Sequence, residues 1–195
     1  MTDEKLLQRA SRGDESAFML LYERHRASVF RFAYRLLGST ALAEEVTHDC
    51  FLSLVKAPAR FDPRRAASLR TYLFAAARNL AFKHLRQHSG ETSLDDALTD
   101  ASPTDFGETP LGRLLEAELA EAVRKAVAAL PALQREAVVL FEYEELPLAE
   151  IARIVEADVG TVKSRLYRAR ASLRRSLAPY FKSHERVAAV ERVYK

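Results

Sequence analysis

Between Asp158 and Arg175 the chain reads DVGTVKSRLYRARASLRR. From Val159 to His184 there are seven Lys or Arg and no Asp or Glu, in a chain whose formal charge is only +3. Val162, Leu166, Ala169, Leu173 and Leu177 recur every three or four residues, which predicts a helix with one apolar stripe. At about 100° per residue, Ser164, Tyr167, Arg168, Ala171 and Arg175 fall opposite that stripe, flanked by Lys163, Arg170 and Arg174. Asp158 stands where an N-cap would, its carboxylate placed to accept the orphan amide hydrogens of the first turn. The outer face therefore offers cations, a hydroxyl, an aromatic ring and a small residue. That set suits entry into a major groove, where cations hold phosphates and polar tips read base edges.

A helix that reads DNA must be held by a second one. Upstream, Leu148, Ile151, Ala152, Ile154 and Val155 predict a shorter amphipathic helix, and Glu156, Ala157 and Asp158 leave a turn of three residues. Two helices joined so tightly form a helix-turn-helix signature. The plain alternative is a helical hairpin with a solvated arginine face. The single sign of the charge, the tight turn and the small residues Ala152 and Gly160 favour the DNA reading. A glycine near a helix start costs about 1 kcal/mol of helicity, which close approach to another helix or to a phosphate would explain.

The chain of 195 residues is 48% hydrophobic, enough for one or two small cores. Its six glycines, seven prolines and long Ala-, Leu-, Arg- and Glu-rich stretches predict an all-α protein. No apolar run reaches the ~20 residues of a membrane span, and MTDEKLLQR lacks a hydrophobic signal region, so a cytoplasmic location is expected. A single cysteine, Cys50, excludes an internal disulfide and fits a reducing compartment. Between two helical lobes lies HSGETSLDDALTDASPTDFGETPLG, with six acidic residues and no Lys or Arg. Its composition and weak periodicity mark an acidic flexible linker. Order resumes near Thr109-Pro110, an N-cap followed by proline at the first helical position. The expected organisation is a helical domain over 1–88, a linker over 89–110, a helix-turn-helix domain over 111–178 and an extension over 179–195.

Several longer stretches carry a family resemblance. LPALQREAVVLFEYEELPLAEIARIVEADVGTVKSRLYRARASL resembles region 4 of bacterial sigma factors of the extracytoplasmic-function (ECF) group. Its diagnostic pieces are Glu150-Ile151-Ala152, the GTVKSR from Gly160 to Arg165, and Arg168-Ala169. AEEVTHDCFLSL (Ala43 to Leu54) is similar to region 2.2, and SLRTYLFAAARNLAFKHLRQ (Ser68 to Gln87) to regions 2.3 and 2.4. The chain departs from the pattern at His48, Val55, Tyr72 and Lys83, and continues past region 4.

The resemblance implies a promoter-specificity subunit that binds core RNA polymerase and promoter DNA, with an anti-sigma factor as a further partner and no membrane insertion. Glu45, His48, Asp49 and Leu52 share one helix face by their spacing; the resemblance implies that this face docks on the β′ clamp helices, and the plain alternative is a solvated acidic face. Melted −10 bases would offer ring faces for stacking. Phe61, Arg64, Arg65 and Arg70 around Pro63, with Tyr72, Asn79 and Lys83 along the next helix, are the candidates to receive them. Tyr72 has two readings, base stacking and core packing. Leu73, Ala76, Ala77, Leu80 and Phe82 are assigned to the core. At the −35 element the candidates are Thr161, Lys163, Ser164, Tyr167, Arg168 and Arg174. The linker reads either as a tether or, by resemblance, as an acidic segment directed into polymerase's positively lined channel.

Two other functions compete with this one. A stand-alone helix-turn-helix regulator fits the second lobe but leaves the clamp-like and −10-like segments of the first unexplained. A metal-dependent phosphoryl-transfer enzyme could recruit Glu44, Glu45 and Asp49, but the sequence has no phosphate loop. His48 near Cys50, and His84 with His88, give only two candidate ligands each, too few for a metal site. The expectation is therefore a protein that is not an enzyme and needs neither metal nor cofactor.

Overall fold

A computed structural model describes residues 1–58, 61, 68–87 and 110–193, and within the last span the side chains of 117–180. Arg64, Arg65, nearly all of the expected linker and the side chains at the end of the extension lie outside the described residues. Every regular element among the described residues is helical. The first lobe holds α1 (Asp3–Ala10), α2 (Glu15–Leu37), α3 (Thr40–Lys56) and α4 (Leu69–Gln87). The second holds α5 (Pro110–Ala128), α6 (Ala132–Val138), α7 (Leu148–Ile154) and α8 (Val159–Val193).

Local chemistry explains where the first helices begin and stop. Asp14 caps α2 by accepting the Ala17 amide at 3.0 Å. Hydrogen bonds from Ser16, that amide and Arg9 hold the Asp14 carboxyl down at about 2. At the other end Gly38 adopts φ 69°, a left-handed conformation that glycine enters without a Cβ clash, and its amide donates to the Tyr34 carbonyl at 2.8 Å. Ser39 then caps α3, accepting from the Leu42 amide at 3.4 Å. The apolar faces of α2, α3 and α4 close on one another around Leu21, Phe32, Leu36, Phe51, Leu54, Leu73 and Phe74. Phe32 and Phe74 meet edge to face, their centroids 5.2 Å apart. Each such side chain contributes roughly 1.5–3 kcal/mol by leaving water.

The core assignment on α4 holds for Leu73 and Ala77, whereas Ala76, Leu80 and Phe82 are only partly buried. Arg78 lies over the Phe82 ring, its guanidinium 4.7 Å from the centroid, which keeps that ring near the surface.

Cys50 is fully buried on α3, its thiol donating to the Leu73 carbonyl at 3.6 Å. Burial, and then the Asp49 charge, push that thiol from 9.0 up to about 12. Such a shift leaves about a thousandfold less thiolate at neutral pH than an ordinary thiol has. Cys50 should therefore resist alkylation by iodoacetamide at pH 8 and react only in denaturant. Mass spectrometry checks this; rapid labelling of the native chain would contradict the buried placement.

In the second lobe α6 passes into a π turn over Val139–Tyr143. There the Glu144 amide reaches the Val139 carbonyl at 3.1 Å, five residues back. The turn between α7 and α8 is made by Glu156 at φ 52° and by the Ala157 amide bonding to the Ala152 carbonyl at 3.0 Å. Leu140, Ile151, Ile154, Val162, Leu166 and Ala169 form the core beneath it. α8 runs for 35 residues, so the backbone of the expected extension continues the same helix past Pro179. Pro179 cannot bond the carbonyl of Arg175, but both residues are exposed and water can satisfy that group.

Candidate nucleic-acid and polymerase interface

The start of α8 is set by Asp158. Its carboxylate accepts the Thr161 amide at 2.7 Å and the Thr161 hydroxyl at 2.7 Å. Those two bonds, the hydroxyl first, hold its carboxyl below the ordinary aspartate value. Thr161 therefore gives its hydroxyl to the cap. The same cap accounts for Gly160, because a Cβ there would stand 2.9 Å from Asp158 Oδ1. The crowding that favours glycine comes from the capping carboxylate, and among the described residues no other helix comes within 4 Å of that Cβ position.

Beyond the first turn, Val162, Leu166 and Ala169 are buried while Lys163, Ser164, Tyr167, Arg168, Arg174 and Arg175 are exposed. Tyr167 is 77% exposed, far more than a ring kept for packing. Two cations of the run have other work. Arg165 turns inward to Glu136 at 2.9 Å. Arg170 pairs with Glu142 at 2.7 Å and lies 5.2 Å from the Phe141 centroid. Thr161, Ser164 and Arg168 border a cleft whose other wall is the start of α6, at Ala132 and Gln134.

In the first lobe Glu45, His48 and Leu52 are exposed on α3 and Asp49 half-buried, as one continuous face. His84 on α4 comes within 3.9 Å of Glu45. An open groove between the two helices has Asp49, Leu52 and Lys56 on one wall and Tyr72, Ala76 and Asn79 on the other. Tyr72 is half-buried and meets Phe61 edge to face at 5.8 Å, so packing claims part of the ring and the groove has the rest. Asn79 and Lys83 are exposed. Among the described residues no three His, Cys, Asp or Glu side chains gather as a metal-ligand set. No helix among them is long and apolar enough to cross a membrane.

Family models of sigma-70 region 2 and sigma-70 region 4 match residues 21–91 and 120–173. The RNA polymerase sigma-H factor of Pseudomonas aeruginosa is 30% identical over 185 residues, an alignment covering 91% of this chain and 94% of that protein. The ECF RNA polymerase sigma-E factor of Haemophilus influenzae is 30% identical over 186 residues, covering 92% and 97%. The chain belongs to the ECF sigma factors. Among solved structures, the sigma factor RpoE of Bartonella quintana, in complex with the anti-sigma factor NepR, shares the fold. Its TM-score is 0.64 at 24% identity, covering 83% of this chain and 96% of that one.

In this ECF sigma factor the lobes are also joined by groups that sequence reasoning passes over. Arg70, a −10 candidate, donates to the Glu144 carbonyl at 2.9 Å and to its carboxylate at 3.0 Å. Arg35 of α2 approaches the same carboxylate at 3.8 Å. Glu136, with no exposed surface, receives Arg78 of α4 at 2.6 Å as well as Arg165 of α8. Thr71 donates to Glu150 of α7 at 2.8 Å, and Arg135 to the Leu36 carbonyl at 2.7 Å. Burial pushes the Glu136 and Glu144 carboxyls above the ordinary glutamate value, against the pull of their arginines. Nothing local marks these two glutamates as buried, since each finds its arginines far along the chain.

Proposed function

We propose that this sigma factor divides promoter recognition between its lobes. The acidic and apolar face of α3, Glu45, His48, Asp49 and Leu52, docks on the basic clamp helices of the polymerase β′ subunit. Tyr72, Asn79 and Lys83 of α4, with Phe61 and the cations Arg64, Arg65 and Arg70, receive the melted −10 strand. Lys163, Ser164, Tyr167, Arg168 and Arg174 of α8 read and grip the −35 duplex, with Thr161 serving through the cap. The functional units are taken as 1–88, 89–110, 111–178 and 179–195. The chain carries out no chemistry of its own: polymerase performs nucleotidyl transfer, in the cytoplasm. An anti-sigma factor is a further partner on this reading, as NepR is for the Bartonella quintana protein.

The observation that supports this most is the solvent-facing set Lys163, Ser164, Tyr167, Arg168 and Arg174 on a capped helix. The test is in vitro transcription with core polymerase and mapping of the start sites. Transcripts from defined starts are expected; binding to DNA without any effect on polymerase would favour a stand-alone regulator.

Charge reversal of Glu45 and Asp49 together should lower affinity for core polymerase by ten- to about a hundredfold, the scale expected for losing close charge pairs. The same double variant should leave duplex binding by α8 intact. A pull-down titration checks it, and unchanged affinity would remove α3 from the docking surface.

A further inference from the structure

The duplex that α8 reads has two strands, and the helix offers them different flanks. With Val162 at 0° and each residue advancing about 100°, Lys163, Tyr167 and Arg174 stand at about 100–140° and Thr161, Ser164 and Arg168 at about 200–260°. The direction between them faces the base edges. A helix with its side chains is about 10–12 Å across and a major groove about 12 Å wide, so a helix seated there meets a sugar-phosphate strand on each side. The flank with Lys163 and Arg174 is exposed and cationic. On the other flank the fold adds a wall, because Pro131, Ala132, Leu133 and Gln134 at the start of α6 face Ser164 and Arg168 across the cleft. Of those four, only Gln134 has a side chain that donates hydrogen bonds. The next residue, Arg135, turns away to the Leu36 and Leu130 carbonyls. The Gln134 side-chain amide is half-buried and has no hydrogen-bond partner among the described residues. Leu133, lining the cleft beside it, is 45% exposed.

We infer that this cleft seats one sugar-phosphate strand of the −35 duplex, with the Gln134 amide donating to a phosphate oxygen and Leu133 packed on the adjoining deoxyribose. The inference rests on the promoter-directing function above and extends its −35 site from α8 to the start of α6. The carboxylate that lines the cleft, Asp158, is engaged by the Thr161 amide and hydroxyl. It lies about 9 Å along the helix axis from Ser164 and about 15 Å from Arg168, so the strand passes at the Ser164 and Arg168 end. Contacts to the backbone set register, whereas contacts to base edges set sequence. A phosphate held on α6 therefore fixes how far α8 rolls in the groove. Gln134 is a positioning residue for Ser164 and Arg168, which stand across the cleft from it.

The test uses holoenzyme, the full chain with core polymerase, on a promoter fragment mapped as above. Gln134→Ala is expected to weaken binding by three- to about tenfold, equally for every single-base-substituted −35 sequence. Its salt slope should stay that of the wild type, because a neutral donor releases no counterion. Gln134→Lys is expected to bind more tightly than the wild type and to steepen the slope by about one. Ala120→Lys, at an exposed site on α5 that does not line the cleft, is the charge control and should leave the slope unchanged. Ethylation interference locates the contact itself. Alkylating one phosphate beside the −35 element should weaken binding of the wild type and have no further effect on Gln134→Ala. The same interference pattern for both chains, or equal slopes for Gln134→Lys and Ala120→Lys, would overturn the strand seat. A wild-type holoenzyme with no preference for the promoter fragment over scrambled duplex would instead overturn the promoter-directing reading, and the seat with it.

Discussion

Glu136→Ala is expected to destabilise the protein by about 3–5 kcal/mol, the usual cost of removing one partner from a buried ion cluster. Glu136 is fully buried, and its two arginine partners are only 14% and 18% exposed. Alanine would leave two like charges facing each other without an anion, which costs more than the pair contributes when intact. For a chain of this size the loss lowers Tm by about 6–20 °C. Glu136→Gln keeps the shape and an acceptor, and should cost less. Arg78→Ala should also cost less, because Arg165 then still neutralises the carboxylate. Thermal and urea unfolding of the three variants checks the order. A cost below about 1 kcal/mol for Glu136→Ala would mean that desolvation had cancelled the attraction.

Arg168→Ala is expected to relax preference at one −35 base pair by about 1–3 kcal/mol, the worth of a bidentate arginine contact to guanine. Arg174→Ala should instead weaken all sequences alike and reduce the salt slope by about one, as loss of a single phosphate contact does. The distinction comes from position. Arg168 lies in the third turn beyond the cap, bordering the cleft with α6, whereas Arg174 is nearly two turns further along an exposed helix. Neither side chain is buried, so both variants should keep the wild-type fold. Affinities for single-base-substituted duplexes at several salt concentrations separate the two. A uniform loss across that panel for Arg168→Ala would make it a phosphate clamp.

The sequence alone determined whatever depends on neighbours within a few turns. The stripe Val162, Leu166, Ala169 needed only the 3.6-residue period to be assigned inward, and these residues are buried. Asp158 was legible as a cap because capping is a contact over three residues. For the same reason the exposed order of Lys163, Ser164, Tyr167 and Arg168 followed from the wheel. On α3 the shared face of Glu45, His48, Asp49 and Leu52 followed equally from spacings of three and four.

Tertiary structure decided the polar groups near the edge of each stripe, where a small angle separates solvent from a partner. Arg165 and Arg168 belong to one basic run, yet Arg165 is spent on a carboxylate 29 residues away and Arg168 stays exposed. Arg78 reaches the same carboxylate across 58 residues, and Arg70 finds Glu144 across 74. Thr161 looked free for DNA until Asp158 took its hydroxyl. Tyr72 is half-buried against the core, with Phe61, outside its helix, at its ring edge. A helical period fixes the direction in which a side chain leaves its own axis. Whether water or an opposite charge waits there depends on how distant helices pack, and that packing placed Glu136 between the lobes.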